Sequence, residues 1–233
     1  MTASGRTIAI GDIHGCAIAF DLLLDAIALQ PEDTVITLGD YIDRGSDSKG
    51  VIDRLIALHK KGQLIPLKGN HEIMMLEARQ SQHKEWYWRQ FGGEETLKSY
   101  APAGKIITLG NIPREHWHFL KTTCHSIWET EHHFFVHATV DSNIPLNSQA
   151  EHKLFWEKLK VREFMPHQSG KTMICGHTKQ PSGKPINFGH GICIDTWAYG
   201  AGWLTGFDVN SGRIWQTTQR GDTRLGWIDD FRV

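Results

Sequence analysis

Hydrophobic positions in the first third of the chain follow two alternating periods. RTIAI at 6–10, TVITL at 34–38 and QLIPL at 63–67 are short, nearly continuous apolar runs rich in β-branched residues. Between them, Phe20, Leu23, Leu24 and Ile27, and then Val51, Ile52, Leu55 and Ile56, recur at helical spacing. The alternation predicts βαβαβ, and so an α/β fold with an at least partly parallel sheet and helices packed on it. The stretch from about 72 to 125 changes character. It is polar, aromatic and helix-like (EWYWRQFGGEETLKSY, PREHWHFLKTT) and reads as a helical insertion. From FFVHA onward, apolar β-runs return as KTMICGH, GICIDT, WLTGFDV and RIWQTT with Gly, Asn and Ser between them, which predicts a mostly antiparallel second sheet. No repeat, low-complexity tract or linker marks a boundary, so 1–233 is expected to be one domain.

The 25 basic and 26 acidic residues of this 233-residue chain give a formal charge of −1, which leaves no electrostatic footprint for nucleic acid or an anionic membrane. Any phosphate must then be met by local groups. An apolar β-run within the first ten residues leaves no room for a signal segment, and no apolar run approaches the roughly 20 residues of a membrane span. A cytoplasmic protein is expected. Cys16, Cys124, Cys175 and Cys193 are scattered without a CxxC pair, so neither a zinc knuckle nor a disulfide framework is expected.

The chemistry is concentrated where strands end. GDIHG follows the first run, GDYIDRG the second and GNHE the third, delivering Asp12 and His14, then Asp40, Asp43 and Arg44, then Asn70 and His71 to one edge. Ligands of such sheets bind beyond the carboxyl ends of the strands. His137 in FFVHA and His177 in ICGHT stand at two later strand ends. Imidazole together with carboxylate and amide oxygen suits borderline divalent metals such as manganese, iron or zinc, whereas magnesium or calcium prefers oxygen alone. Asp40, on the middle of the three strands, is the natural bridge. Asp12 and His14 would hold one metal with it, and Asn70, His137 and His177 the other. Two such ions about 3.5–4 Å apart lower the pKa of a bridging water and clamp phosphoryl oxygens, supplying a nucleophile without serine or cysteine.

In order and spacing, GDIHG, GDYIDRG and GNHE resemble the signature of the phosphoprotein phosphatases, within the calcineurin-like metallophosphoesterases. The similarity extends to Trp88, Gly92, Gly93, Thr96, Leu97, Ser99 and Tyr100, to VHATVDSNIPLNSQ and LFWEKLKVREF, and to Gly176, His177 and Thr178. The resemblance implies a four-layer α/β sandwich of two mixed sheets flanked by helices, with a small helical insertion, and a dinuclear centre that hydrolyses phosphate monoesters by direct attack of metal-bound hydroxide. It implies that Asp12, His14, Asp40, Asn70, His137 and His177 are metal ligands and that His71 is the proton donor to the leaving group. Asp43 would then orient His71, and Arg44 would bind phosphate. A charged Asp43 would favour the imidazolium of His71, and a guanidinium pairs bidentately with phosphate oxygens.

Three positions depart from the family pattern. Thr139 replaces the glycine of HAG, Trp197 interrupts the glycine-rich element after Asp195, and Lys158 stands where a second phosphate-binding arginine is expected. Arg162 in VREF is the preferred alternative, because a lysine cannot reproduce the guanidinium fork. Trp86, Tyr87 and Trp88 are expected to pack against the sheet, and His190 lies nearest the site among the remaining histidines. The function expected is that of a manganese-dependent protein serine/threonine phosphatase, with phosphotyrosine as a further substrate. Symmetrical hydrolysis of diadenosine tetraphosphate is the alternative, against which the intact Asp43 argues.

Overall fold

The computed structural model describes residues 5–101 and 108–233. Of the expected helical insertion, 102–107 lie outside the described residues. The chain runs β1 (Thr7–Ile10), α1 (Ala17–Ile27), β2 (Thr34–Thr37), α2 (Ser48–Lys60), β3 (Leu64–Pro66), α3 (Asn70–Ala78), α4 (Gln82–Trp88), α5 (Glu94–Tyr100) and α6 (Arg114–His118). It continues through β4 (Ile127–Glu129), β5 (His133–Val136), α7 (Glu151–Phe155), β6 (Thr172–Cys175), β7 (Ile186–Asn187), β8 (Gly191–Cys193), β9 (Leu204–Asp208), β10 (Arg213–Thr217) and β11 (Thr223–Trp227).

Two mixed sheets face each other. The first has the order β11-β10-β9-β1-β2-β3, and the second the order β4-β5-β6-β8-β7. As the apolar pattern predicts, β1, β2 and β3 are parallel. The expectation of a mostly antiparallel second sheet is corrected. The strands β9, β10 and β11 do form an antiparallel meander, but it extends the first sheet through β9 against β1, with Ala9 opposite Phe207. The second sheet is parallel through β5, β6 and β8 and antiparallel only at its edges. Long connections between β5, β6 and β8, rather than tight hairpins, permit that parallel order.

Side-chain alternation builds the layers. Along β1, Ile8 and Ile10 join the cluster under α1 and α2, while Ala9 points into the space between the sheets. Along β5, Phe135 faces that same space and Phe134 and Val136 face outward onto Leu146, Leu154 and Phe155. Both faces of these strands are buried, which is why their sequences read as unbroken apolar runs instead of alternating ones. Because β1, β2 and β3 run parallel to one another, as do β5, β6 and β8, the carboxyl ends within each set gather at one edge of its sheet. No helix among the described residues is long and apolar enough to cross a membrane.

Candidate metal centre and phosphate site

The strand-end loops are stitched together before any side chain does chemistry. Ile13 and His14 donate backbone N–H bonds to Asp40 O at 3.0 and 2.8 Å, tying the first loop to the second. Glu72, fully buried, accepts from Asp40 N and Gly69 N at 2.8 Å and from Tyr41 N at 2.9 Å, tying the second loop to the start of α3. Across the sheets, His177 N donates to both Asp12 carboxylate oxygens at 3.0 and 3.1 Å. The backbone is bent to suit: His14, Asp40, Asp43, Arg44 and His177 all have left-handed φ, between 47° and 72°. Asp and His tolerate that region better than most residues, and such strain gathers at functional sites.

Three imidazoles share one arrangement. His14 donates from Nδ1 to Ile42 O at 2.9 Å, His137 from Nδ1 to Leu38 O at 2.8 Å, and His177 from Nε2 to Trp156 O at 3.1 Å. Each ring therefore spends its one neutral-form proton on a backbone carbonyl and turns a bare nitrogen inward. Burial keeps the rings neutral, pushing His14 down to about 3 and His177 to about 4, and lowering His137 as well. His137 Nε2, His177 Nδ1 and Asn70 Oδ1 then converge at 2.9–3.2 Å, acceptor facing acceptor. A cation is what such a convergence fits.

Asp40 links two such groups. His14 Nε2 and His71 Nε2 stand 3.5 and 3.9 Å from its Oδ2, and His137 Nε2 stands 3.5 Å from its Oδ1. Two candidate ligand sets result, His14–Asp40–His71 and Asp40–His137–His177. Burial alone would raise the Asp40 pKa, but the surrounding histidines hold it well below the usual carboxylate range. Asp12 and Asp195 fare differently. Burial pushes both up, Asp195 to about 7; the charge of Asp40 adds to both shifts, and that of Asp195 adds to the shift of Asp12. Buried carboxylates with so few protein donors suit divalent cations, and the mixed imidazole, amide and carboxylate set suits the borderline ones.

Beside this cluster lies a second unit. Asp43, fully buried, accepts from His71 Nδ1 at 2.6 Å, from Trp88 Nε1 at 2.9 Å and from Thr96 Oγ1 at 2.6 Å. Burial lowers the His71 pKa, yet the charge of Asp40 and the hydrogen bond to Asp43 overcome this and leave it raised. Gly92 explains how the insertion approaches so closely. With φ at 110°, it lies where a Cβ would meet Arg44 N at 2.6 Å, and its carbonyl accepts from that N–H.

Residues 5–209 match the family described as Calcineurin-like phosphoesterase. The chain belongs to that family. The phosphoesterase is 30% identical over 203 residues to serine/threonine-protein phosphatase 1 of Salmonella typhimurium, covering 84% of this chain and 88% of that one. It is 43% identical to a symmetrical bis(5'-nucleosyl)-tetraphosphatase of Acidovorax sp., but over only 70 residues, 30% of this chain and 24% of the relative. Among solved structures it is similar in fold to a candidate diadenosine tetraphosphatase, with a TM-score of 0.68, 19% identity and coverage of 97% and 96% of the two chains. A serine/threonine phosphatase from Saccharomyces cerevisiae gives a TM-score of 0.57 at 15% identity, covering 97% of this chain and 80% of that one. Members of this family are hydrolases that use a dinuclear metal site. The strands β10 and β11 continue the first sheet of the phosphoesterase beyond the matched residues.

The structure brings together Asp12, His14, Asp40, Asn70, His71, His137 and His177, with Asp43 behind His71. Arg44 is adjacent, its Cζ 4.7 Å from the Tyr199 ring, which itself packs on His14 at 4.8 Å. Arg162 is exposed and has no hydrogen bond or ion pair among the described residues. Lys158, also exposed, lines a cavity of about 240 Å³ beside Thr139. His190 is away from the cluster, stacked on Phe164 and bonded to its carbonyl at 2.8 Å. Of the three insertion aromatics, only Trp88 is buried, while Trp86 and Tyr87 are exposed.

Three residues of the phosphoesterase site escaped the sequence reading of roles. Asp195 follows β8 as the other acids follow β1 and β2, so the same strand-end signal marked it. Glu72 closes GNHE in the third position of α3, reaching back to the N–H of Gly69 as an N-terminal glutamate does. Thr96 carried no local signal for its bond to Asp43, 53 residues away.

Proposed function

We infer that this phosphoesterase removes phosphate from phosphoserine and phosphothreonine in proteins, and to a lesser extent from phosphotyrosine, with two manganese ions held by Asp12, His14, Asp40, Asn70, His137 and His177. Iron and zinc suit the same donors. When bound, such ions would activate water and neutralise charge on the phosphoryl oxygens. Arg44 would bind those oxygens through its guanidinium fork. His71 would act as the acid. Its Nδ1–H is committed to Asp43, so the Nε2 proton, on the side facing Asp40, is the one available to the departing alkoxide oxygen. Thr96 and Trp88 fix Asp43, and Asp43 fixes the ring.

The observation carrying this reading is the buried Asp43–His71 pair. An alkoxide leaving from phosphoserine is strongly basic and needs a proton, whereas a phosphoanhydride leaves as a stabilised phosphate. A positioned acid contributes about 10²–10⁴ in rate to the former. Similarity to the Salmonella phosphatase over 84% of the chain supports the same reading. Symmetrical hydrolysis of diadenosine tetraphosphate is the second reading, favoured by the 43% identity over 70 residues.

Parallel turnover of a phosphoserine peptide, a phosphotyrosine peptide and diadenosine tetraphosphate with manganese decides between them. Preference for the dinucleotide by a large factor in kcat/KM overturns the protein-phosphatase reading. His71→Asn separates the two roles open to that residue, because His71 also belongs to one candidate ligand set. As an acid it should leave both metals bound, slow the phosphoserine peptide by about 10²–10⁴ and slow p-nitrophenyl phosphate far less. Loss of metal with equal damage to both substrates would make it a ligand instead.

A further inference from the structure

Trp197 concentrates two costs at one residue. Its φ of 66° lies in the left-handed region, where a bulky side chain is an outlier. Its indole Nε1 is, among the described residues, the buried side-chain polar atom without a hydrogen-bond partner. Such outliers persist when the surrounding structure holds them for a purpose. The ring packs against Gly200, where a Cβ would meet Cε2 at 2.2 Å, so position 200 has to be bare for the indole to sit there.

The purpose is visible in what rests on the ring. Lys179 Nζ stands 5.2 Å from the Trp197 centroid, and Arg44 Cζ stands 4.7 Å from that of Tyr199. The two rings meet edge to face at 6.2 Å, and Tyr199 abuts His14. One aromatic pair beside the metal centre therefore seats two cations, and both exert their charge on the buried Asp195 carboxyl. Arg44 is already assigned to the scissile phosphoryl group. Lys179 is exposed, two residues beyond His177, and has no ion pair or hydrogen bond among the described residues. An ammonium on a ring face is oriented yet remains free to meet an anion.

We propose that Lys179, seated on Trp197, forms an anion subsite beside the scissile phosphoryl group and takes a second negative group of the substrate. Resting on the assignment of Arg44 above, the subsite accepts either an acidic side chain next to the phosphorylated residue or a further phosphate of a polyphosphate chain. The shared chemistry is a second anion.

Four substrates test it: a phosphoserine peptide flanked by glutamate, the same peptide flanked by alanine, diadenosine tetraphosphate, and p-nitrophenyl phosphate, each assayed with the manganese-loaded enzyme. Lys179→Met should lower kcat/KM about tenfold for glutamate-flanked peptide and less than twofold for alanine-flanked peptide and p-nitrophenyl phosphate, with Lys179→Arg retaining the preference. Trp197→Gly, which removes the ring and fits the left-handed backbone, should show the same selective loss. A tenfold fall confined to the dinucleotide would uphold the subsite and identify its anion as phosphate, while counting against a phosphoprotein substrate. Equal falls on all four substrates, or none, would overturn the subsite. Discrimination that survives Trp197→Gly would overturn the part given to the ring.

Discussion

The two ends of β1 and β2 treat the same residue type in opposite ways. At the amino end, Asp33 just before β2 accepts from Arg6 N at 2.9 Å, from Arg6 Nε at 3.1 Å and from Gln30 N at 2.8 Å, and pairs with Arg6 Nη2. Burial there would raise its pKa, but the hydrogen bonds from Arg6 and Gln30 outweigh this and leave it lowered. At the carboxyl edge, among the described residues, Asp12 after β1 has only His177 N as a donor and Asp195 after β8 only Trp197 N, and burial drives both the other way. A carboxylate surrounded by protein donors closes a structure. One left short of them is reserved for something the protein must still bind.

Asp40→Asn should break the carboxyl end most severely. We expect kcat to fall by about 10³-fold or more, since the charge shared between two cations is lost. Elemental analysis should show depleted metal, and two fully occupied sites would refute the bridging role. Adding manganese at about 100 times its Kd should stabilise the wild type by about 2.7 kcal/mol per site, read as a rise in Tm, and chelation should reverse it. In Asp40→Asn that rise should shrink or vanish.

Gly92→Ala tests the same end more gently. Its φ and its approach to Arg44 N force the loop to shift, so KM should rise by roughly tenfold while metal content stays intact. Unchanged kinetics would mean that Arg44 is positioned independently of the insertion.

Asp33→Asn should leave kcat/KM unaltered and cost about 2 kcal/mol of stability, measured by denaturant unfolding. Its pH dependence has a definite sign. The folded pKa of Asp33 lies below its unfolded value, so its contribution is complete above the ordinary carboxylate range and is lost as pH falls through the lowered folded pKa. The variant should therefore lose less stability than the wild type on acidification. A change in activity would blur the distinction between the two ends.

Local pattern revealed the parallel half of the fold, because fully buried strands leave continuous apolar runs bounded by turn residues. It could not reveal that WLTGFDV pairs with RTIAI, since that register joins residues about 200 positions apart and depends on which sheet edge is open. The site divides in the same manner. Asp12, His14, Asp40, Asn70, His137 and His177 were legible because each ends or follows a strand, and polar residues there need a reason. Glu72 was legible only in its local bond to Gly69, and Thr96 not at all, because their other partners come from distant loops. The preference for Arg162 over Lys158 rests on the chemistry of guanidinium, and spacing along an irregular, exposed segment gives no information on where a side chain points.

The first helix raises a matter of timing. Cys16 provides no side-chain cap for α1, and the free N–H of Ala19 in its first turn is instead taken by Gln219 Oε1 at 2.7 Å, while Thr217 donates to Ala19 O at 2.7 Å. The capping group lies 200 residues downstream. During synthesis, the first turn of α1 therefore lacks this cap until the β10–β11 hairpin has been made and docked. Nascent chains lacking β10 and β11 should expose the start of α1 to proteases that the full chain resists, because that helix waits on a cap translated long after it.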